Sequence, residues 1–376
     1  VVGSEWAEIS SNYDVVVARK SDGPIWNWGR YTYGQLATDD FIDRNAPVQV
    51  GTGSDWSRVF AGNNQGYAIR NDGTLWTWGD NTEGELANGT LDHVYQPAQI
   101  GTDNDWATIV PGGHHILALK NDGTLWGWGM GGFGALGNGS ADTLLLPEQV
   151  ATGTWAGVAA GLVHSIALRT DGTLWAAGDP TAIVPATPVP FWTQVGTDDD
   201  WASVGAGAIS SMAVKADGTL WLWGQTLFGT ALEPTQVGTD TDWASASGGL
   251  LHHLAAKTDG TLWAWGANSN GQLGDGSNTA RALPGPVPCD GIPTHVDQLA
   301  ELPLRVYPDA TGEWLVVEGH AALEHLPVRV LDQAGRLVLE QRMAHGRVAI
   351  AALGAGAYVV QVAVVGGWKS GRFVKW

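Results

Sequence analysis

Three histidines recur at equivalent places of an internal repeat. His115, His164 and His252 each lie seven residues before an Asp-Gly pair. Because imidazole is the commonest transition-metal ligand, three such side chains brought together could hold a metal ion. The three repeats are not all adjacent, however, and no carboxylate is tied to the same position. We therefore favour a hydrogen bond from each imidazole to a neighbouring repeat, and we predict no cofactor.

Acidic segments precede three of the repeats. They read Gly-Thr-Asp-Asn-Asp at 101–105, Gly-Thr-Asp-Asp-Asp at 196–200 and Gly-Thr-Asp-Thr-Asp at 238–242. Paired aspartates can bind Ca²⁺, but these segments lack the central Gly and downstream Glu of a helix-loop-helix calcium site. We favour Asx turns with solvated carboxylates.

Motifs for enzymatic chemistry are missing from the sequence. There is no Gly-x-Ser-x-Gly, His-Glu-x-x-His or phosphate-loop string. Of the 21 tryptophans, 17 occupy anchor positions of the repeat, which favours packing over sugar stacking. Trp192 lies outside that pattern and is the best candidate for a surface platform. We predict that the chain is not an enzyme.

The repeat itself is defined by the string Asp-Gly-Thr-Leu-Trp. Five copies begin at positions 72, 122, 171, 217 and 259, and a variant, Asp-Gly-Pro-Ile-Trp, occupies 22–26. A leading tryptophan precedes each Asp-Gly by 16 residues. Units of 42 to 50 residues are typical of propeller blades. The structural residues we assign to the clearest copies are Asp72, Gly73, Trp76, Asp122, Gly123, Trp126, Asp259, Gly260 and Trp263.

Each repeat predicts four short strands and essentially no helix. In the third repeat, 106–110 and 116–120 form two strands, and Asn-Asp-Gly at 121–123 turns into a third at 124–129. A Pro-x-Gln-Val segment then leads onward. Repeats four and five lack a full Gly-Gln-Leu-Gly loop, and Ala177 replaces the second tryptophan of repeat four. We expect irregular outer strands there.

Residues 1–289 resemble the regulator-of-chromosome-condensation repeat. The last unit is the most complete copy, with Asp259–Trp263, Trp265-Gly266 and Asn268–Gly276. The resemblance implies an all-β fold, a β-propeller of six four-stranded units, or of seven with one unit missing upstream. It also implies a binding face formed by loops of successive blades. The founding member's role on chromatin is not carried over, because a propeller's function lies in its loops.

Charge argues against nucleic acid as a partner. The net charge is −19, and residues 1–302 carry 11 basic and 32 acidic side chains, whereas 303–376 carry 8 and 6. An acidic surface of this kind repels phosphate backbones and anionic membranes. No apolar run approaches the ~20 residues that span a bilayer. The chain begins at Val1, and a signal peptide upstream can be neither seen nor excluded.

The tail has a different pattern. Residues 290–302 lose the repeat and contain Pro293, which predicts a linker. About seven short strands follow in 303–376, enough for a small immunoglobulin-like β-sandwich. In order they carry Leu-x-Val-Tyr-Pro, Val-x-Val-x-Asp-x-x-Gly-Arg-x-Val, Leu-x-x-Gly-x-Tyr-x-Val-x-Val and a closing Phe-Val-Lys.

This series resembles the type A C-terminal sorting domain of type IX secretion. The resemblance implies a gram-negative bacterium, a cell-surface or secreted (extracellular) location, and the type IX machinery as partner of residues 303–376. The motif residues are Tyr307, Pro308, Asp332, Gly335, Gly354, Gly356, Tyr358 and Lys375.

Together these features favour a secreted or surface-attached propeller that acts as a protein- or glycan-binding adhesion module. The alternative is a secreted lyase or hydrolase that uses the central cleft. A histidine with a shifted pKa, or a buried carboxylate pair, at the channel mouth would favour the enzyme.

Overall fold

The chain forms two compact units, Val1–Val287 and Pro288–Trp376. The computed structural model describes residues 6–38, 40–179 and 189–287 of the first unit, and 288, 305–308, 313–318, 327–332, 335–342, 347–364 and 367–375 of the second. The predicted linker at 290–302 lies outside the described residues. Each unit is built almost entirely of antiparallel strands.

The first unit contains six four-stranded sheets, which we number in chain order. Sheet 1 comprises β1 (Trp6–Asn12), β2 (Val15–Lys20), β3 (Ile25–Gly29) and β4 (Arg44–Gln49). Sheet 2 comprises β5 (Trp56–Ala61), β6 (Gln65–Arg70), β7 (Leu75–Gly79) and β8 (Val94–Ile100). Sheet 3 comprises β9 (Trp106–Pro111), β10 (His115–Lys120), β11 (Leu125–Gly129) and β12 (Leu144–Ala151).

The remaining three sheets repeat this arrangement. Sheet 4 comprises β13 (Trp155–Ala160), β14 (His164–Arg169), β15 (Leu174–Gly178) and β16 (Val189–Gln194). Sheet 5 comprises β17 (Trp201–Ala206), β18 (Ser210–Lys215), β19 (Leu220–Thr226) and β20 (Gly229–Gln236). Sheet 6 comprises β21 (Trp243–Gly248), β22 (His252–Lys257), β23 (Leu262–Gly266) and β24 (Arg281–Pro286). The predicted four strands per repeat are confirmed.

Successive sheets pack face to face through the second tryptophan of the Trp-x-Trp strand. Trp78 of sheet 2 is fully buried in a cluster with Val17 of sheet 1, and Trp128 of sheet 3 in a cluster with Ile69 of sheet 2. Trp265 of sheet 6 packs with Met212 of sheet 5 in the same way. Burying a large ring at these junctions removes much apolar surface from water, which stabilises the stack of sheets. In sheet 4 the buried Ala177 takes the place of the ring.

A loop between the third and fourth strands closes the outer edge of four sheets. We call it the outer loop, and it carries Gly-x-Leu at 34–36, 84–86, 134–136 and 271–273. In sheet 3 a short 3₁₀ turn, Gly132–Gly134, belongs to it. The outer-loop leucines are buried, and Leu36 lies in the same cluster as Trp78. The outer loop of one sheet therefore seals its junction with the next.

The expectation of an irregular outer strand is wrong for repeat five, since its register shift between Leu222 and Gly224 occurs at the same place in the other sheets. In repeat four, residues 180–188 lie outside the described residues. β20 is an eight-residue strand that pairs with β19 from Gln236 back to Gly229. In place of an outer loop, the turn Leu227–Phe228 joins the two strands. Beyond this register shift, β19 and β20 stay paired up to the turn, so loss of the loop lengthens the strands of sheet 5. In sheet 4, β16 keeps the pairing of Gly178 with Val189.

The described residues of the second unit form seven strands in two sheets, as predicted for a β-sandwich. One sheet has the order β25-β26-β29 and the other β28-β27-β30-β31. Residues from both share one core that includes Leu315, Val330 and Val360. The strands are β25 (Arg305–Pro308), β26 (Trp314–Glu318), β27 (Pro327–Leu331), β28 (Leu337–Arg342), β29 (Arg347–Ala349), β30 (Gly356–Val364) and β31 (Gly367–Lys375).

Exposure varies along the innermost strands. Ile9 of β1 is 66% exposed, whereas Val59 and Ile109, at the same place of the next two repeats, are each 1% exposed. The innermost strand of sheet 1 is thus less covered than those of sheets 2 and 3.

Within the described part of the chain, no helix has the length and apolar character needed to cross a bilayer.

Candidate functional site

The Asp-Gly-Thr-Leu-Trp string forms a hydrogen-bonded turn. Asp72 accepts hydrogen bonds from the Thr74 amide at 3.0 Å and the Thr74 hydroxyl at 2.7 Å. The Thr74 hydroxyl in turn accepts one from Trp76 Nε1 at 3.1 Å. Gly73 has a φ of +83°, and a Cβ there would overlap the Asn104 carbonyl. The same bonds link Asp122 to Trp126, Asp171 to Trp175, Asp217 to Trp221 and Asp259 to Trp263.

These turns are structural. The hydrogen bonds from Thr74 lower the pKa of Asp72, since they stabilise its charged form. The first repeat has Pro24 in place of the threonine, and there Trp26 Nε1 is buried with no partner among the described residues. The bonding in the other five repeats thus depends on the threonine hydroxyl.

The Asp-x-Asp segments each hold a lysine of their own repeat. Lys120 Nζ lies 2.6 Å from Asp103 and 3.0 Å from Asp105, and it lies over the rings of Trp106 and Trp126 at 4.9 and 4.4 Å. Burial alone would lower the pKa of Lys120, but the two carboxylates raise it above its ordinary value. Lys215 and Lys257 are held in the same way by Asp198 with Asp200 and by Asp240 with Asp242.

An ammonium group therefore stands where the sequence allowed a calcium ion. The sequence carries a signal for it: a basic residue, Lys or Arg, occurs two positions before the Asp-Gly of each of the six repeat strings. Arg70 takes this place in sheet 2, above Trp56 and Trp76 at 4.7 and 3.9 Å. Cation–π contacts of this kind add to the packing within each sheet.

The three histidines occupy three different sheets. His115 is buried on β10, and its Nε2 lies 2.8 Å from the Ser165 hydroxyl of sheet 4, which donates to the Ala135 carbonyl. Burial lowers the pKa of His115 to about 3 and that of His164 to about 4. His252 is only partly buried. Among the described residues, no group of three or more His, Cys, Asp or Glu side chains could hold a metal ion.

Trp192 is not the exposed platform that we predicted. It is half-buried, and its ring packs on Trp155 with centroids 5.6 Å apart. It belongs to the core between sheets 3 and 4. Sequence position outside the repeat was a poor guide to exposure, because the fourth strand also contributes to the junction.

A central cleft of about 550 Å³ is lined by the turn between the innermost and second strands of every sheet. We call these six turns the cleft turns. Neighbouring cleft turns are hydrogen-bonded: the Gly113 amide donates to Gly161, Leu162 to Ala208, and Ala208 to Gly249, at 2.8–2.9 Å. Backbone bonds of this kind fix the position of side chains around the opening. The cleft turns carry Tyr13, Asn63, Gly113, Leu162, Ala208 and Leu250 at equivalent positions.

The cleft has a polar and an apolar side. Sheets 1–3 contribute asparagines, Asp80 and His114, whereas sheets 4–6 contribute Leu162 and Leu250. Leu162 is 41% exposed, Leu250 62% and Tyr13 of sheet 1 85%. Large apolar side chains exposed around one opening are a feature of interaction surfaces.

An ionisable pair stands on the polar side, which the sequence analysis missed. His114 Nδ1 lies 3.2 Å from a carboxylate oxygen of Glu85, whose side chain is 1% exposed. The hydrogen bond to Glu85 raises the pKa of His114. Glu85 occupies the place of Gln35 and Gln272 in the outer loop, and like them it accepts a backbone amide, here from Glu83 at 2.8 Å. The sequence does carry a signal for this pair, because Glu85 places a carboxylate where two other repeats have the amide of a glutamine.

In the second unit, the motif residues form backbone contacts. Lys375 Nζ donates to the carbonyls of Ile350, Ala351 and Leu353 at 2.6, 3.0 and 2.7 Å. The Tyr358 hydroxyl donates to the Gly354 carbonyl at 2.9 Å. These bonds tie the last strand to the preceding turn.

The remaining motif residues lie on strands and one turn. Asp332 accepts from the Arg336 amide and side chain, closing the turn at Gly335, whose φ is +77°. Tyr307 and Pro308 end β25, and Gly356 begins β30.

Comparison with known proteins gives the family of the first unit. A profile for the regulator of chromosome condensation (RCC1) repeat matches residues 22–69, 72–119, 122–168 and 259–301, and a second RCC1 repeat profile matches 56–85 and 243–272. Together they cover more than half of the chain. The chain belongs to the RCC1 repeat family.

Solved structures show the same fold. The present chain is similar to yeast RCC1 (Prp20), whose structure was solved with Kap60. The identity is 19% and the TM-score 0.66, over 75% of this chain and 74% of the yeast chain. Saccharomyces cerevisiae Prp20p, described with its binding to Gsp1p and histones, gives the same identity and score over 75% and 76%. Human WBSCR16 is similar at 16% identity and a TM-score of 0.61, over 67% of this chain and 72% of the human chain. No curated protein sequence matches at a significant level.

Proposed function

We propose that the RCC1 propeller is a binding module that holds a protein ligand at its central cleft, and that the second unit directs its export to the cell surface or medium. The observation that carries the binding proposal is the ring of cleft turns with exposed Tyr13, Leu162 and Leu250 beside a polar side. Burial of such side chains against a partner supplies affinity, and the polar side supplies specificity.

A protein suits this surface better than a glycan. Leu162 and Leu250 offer apolar burial but no ring face on which a sugar could stack, and Trp192 packs against the core between sheets 3 and 4. Tyr13 does present an exposed ring at the cleft, but the two leucines on the opposite side match it with aliphatic surface, which suits a protein side chain. Yeast Prp20p, which shares this fold, binds proteins: it is bound to Kap60 in one structure and is described with its binding to Gsp1p and histones in the other. The acidic residues of the first unit favour a ligand with basic groups.

The binding proposal is tested on arrays of proteins and of glycans probed with the full chain. We expect protein spots that are lost with Leu162→Asp and Leu250→Asp together. Leu146→Asp is the matched control, because Leu146 is 56% exposed but lies on β12 outside the cleft. Glycan signals that survive the double substitution would contradict the proposal.

The export proposal rests on the resemblance of residues 303–376 to a type IX sorting domain and on the role of Lys375. Three carbonyls converge on its ammonium group, so the terminal strand depends on it. In a gram-negative host that has the pathway, we expect deletion of 303–376 to retain the propeller in the cell, and Lys375→Met to reduce export. Lys369→Met is the control on the same strand. Unchanged surface delivery of the truncated chain would refute an export address.

The His114–Glu85 pair favours one alternative, a hydrolase or lyase that uses the cleft. A half-exposed imidazole beside a buried carboxylate can act as a general acid or base. Its raised pKa means that the charged form is favoured, and that its stabilising contact is lost as pH rises through that pKa. Turnover of a peptide or glycoside substrate that falls in His114→Gln and Glu85→Gln, with binding retained, would support this alternative.

A further inference from the structure

We propose that a groove between the outer edges of sheets 5 and 6 docks a loop segment of a partner protein with the pattern Gly-Gln-Leu-Gly. The groove measures about 290 Å³ and shares no lining residue with the central cleft. Leu222, Thr226 and Phe228 line it from sheet 5, and Trp265, Ala282 and Leu283 from sheet 6.

At the junction of sheets 1 and 2, and at that of sheets 2 and 3, the outer loop of the preceding sheet occupies the corresponding place. The outer loop of sheet 1 contacts the fourth strand of sheet 2, where Gly34 lies against Tyr95. The outer loop of sheet 2 contacts sheet 3, where Gly84 lies against Leu145. The strand pairing shows that three residues hold equivalent positions on the fourth strands of sheets 2, 3 and 6. In each sheet the glycine that ends the third strand pairs with the residue directly before the one compared. These glycines are Gly79, Gly129 and Gly266, and the residues compared are Tyr95, Leu145 and Ala282, respectively.

Sheet 5 has no outer loop to cover Ala282. The two-residue turn Leu227–Phe228 joins β19 directly to β20. The groove therefore lies at the position that an outer loop of sheet 5 would fill if it were present. Its rim is apolar, since Phe228 is 54% exposed and Leu283 65%.

A buried donor in the groove wall indicates what the occupant supplies. Trp78 Nε1 donates to the Gln35 carbonyl at 3.0 Å, and Trp128 Nε1 to the Glu85 carbonyl at 2.7 Å. Trp265 holds the same place in sheet 6, but its Nε1 is buried and has no partner among the described residues. An unpaired buried donor is unfavourable, so a ligand carbonyl that reaches it gains a hydrogen bond.

The outer loops show which peptide chemistry fits. In each, the carbonyl acceptor belongs to the residue directly before a buried leucine, as in Gln35-Leu36 and Glu85-Leu86. A glycine precedes this pair and an alanine follows it in both loops, and Gly34 and Gly84 touch the next sheet closely. Ala37 and Ala87 have positive φ, a conformation that glycine adopts at less cost, so glycine suits both flanking positions. A segment with Gly-Gln-Leu-Gly would thus offer the carbonyl to Trp265 and the leucine to the groove.

A partner protein is the source that we infer. The chain's own segment of this sequence, 271–274, is already folded into sheet 6, where Leu273 is 1% exposed. A second copy would have to unfold that loop in order to donate it.

The probe is a fluorescent synthetic peptide, Asn-Ser-Asn-Gly-Gln-Leu-Gly-Asp-Gly, titrated with the full chain in an anisotropy assay. We expect saturable binding that weakens at least about tenfold when the peptide leucine is replaced by Asp, because the buried apolar side chain is lost. No saturable binding, or equal binding of the two peptides, would overturn the proposal.

Variants of the chain locate the site. Ala282→Tyr places in the groove the residue that sheet 2 has at this position, and Trp265→Phe removes the donor while keeping a ring. Both should abolish or strongly weaken peptide binding, whereas the cleft variant Leu250→Asp should leave it unchanged. If Trp265→Phe does not fold, Ala282→Tyr decides alone. If Leu250→Asp loses peptide binding while Ala282→Tyr keeps it, the peptide does not bind in the groove and the proposal is refuted. The proposal is also refuted if sedimentation shows a dimer of the chain that Ala282→Tyr dissociates, because a second copy would then occupy the groove. The cleft arrays fail or succeed independently of this result.

Discussion

The junction between sheets 2 and 3 and the junction between sheets 5 and 6 use the same tryptophan in different surroundings. Trp128 is covered by the outer loop of sheet 2 and bonded to its Glu85 carbonyl. Trp265 faces a sheet without that loop and lacks an acceptor among the described residues. Deleting a loop of the repeat therefore preserves the face-to-face packing of the sheets but opens the outer edge of their junction.

The largest expected effect comes from the outer-loop leucine. Leu86→Ala should lower the free energy of unfolding by about 2–5 kcal/mol, because Leu86 is fully buried and a cavity would remain. Leu227→Ala, in the turn that replaces the loop in sheet 5, is the comparison, since Leu227 is 43% exposed. It should change stability by less than about 0.5 kcal/mol. Denaturant unfolding of both variants measures the difference, and equal losses would mean that the two edges are packed alike.

Acid should weaken the junctions that contain a buried histidine. His115 lies at the junction of sheets 3 and 4, whereas Gln65 takes its place at the junction of sheets 2 and 3. Its folded pKa of about 3 lies below the ordinary value, so stability is complete above pH 6.5 and falls as pH falls below it. At pH 5 the loss should be about 2 kcal/mol. His115→Gln should flatten this part of the pH profile of the melting temperature. A profile identical to that of the unchanged protein would exclude His115 as the cause.

Removal of the indole donor should separate the two junctions directly. Trp128→Phe removes this bond, although the Tyr67 hydroxyl still donates to the Glu85 carbonyl, and it should cost about 0.5–1.5 kcal/mol more than Trp265→Phe, where no such bond is lost. Both substitutions remove the same ring atoms, so the difference between them isolates the hydrogen bond. Equal unfolding midpoints would show that Trp265 is satisfied in solution.

The smallest expected effect is a gain. Pro24→Thr in the first repeat would supply the hydroxyl that binds the tryptophan indole in the other five, and should stabilise the chain by about 0.5–1 kcal/mol. Pro24 also restricts the unfolded chain, which opposes part of this gain. Thr74→Val is the reverse change in sheet 2 and should destabilise. A loss of stability in Pro24→Thr would indicate that the proline, not the bond, matters in this turn.

Much of the fold could be read from the sequence because its signals are local. Asp122-Gly123 sets the hairpin turn with neighbouring residues only, and the alternation in β10 and β11 follows from the period of a strand. The seven strands of the second unit were placed by the same rules. The prediction of an irregular outer strand in sheet 5 is wrong because strand pairing does not depend on the outer loop. Leu222 pairs with Thr235 although sheet 5 has no outer loop.

The cleft pair and the groove could not be predicted in this way. His114 and Glu85 are 29 residues apart and belong to different sheets, so only the packing of sheet 2 on sheet 3 brings them to 3.2 Å. Trp192 was misplaced for a related reason, since its burial depends on Trp155 of its own sheet and on the outer loop of sheet 3.

The sequence by itself determined the strands, the turns, the repeat and its family resemblance, because each depends on residues within one unit of the chain. Only the tertiary structure decided which side chains meet between units. The cleft turns, the lone indole of Trp265 and the His114–Glu85 contact are each made by two or more sheets. Spacing within a repeat carries no information about such contacts, since the repeats differ in the loops that adjoin one another.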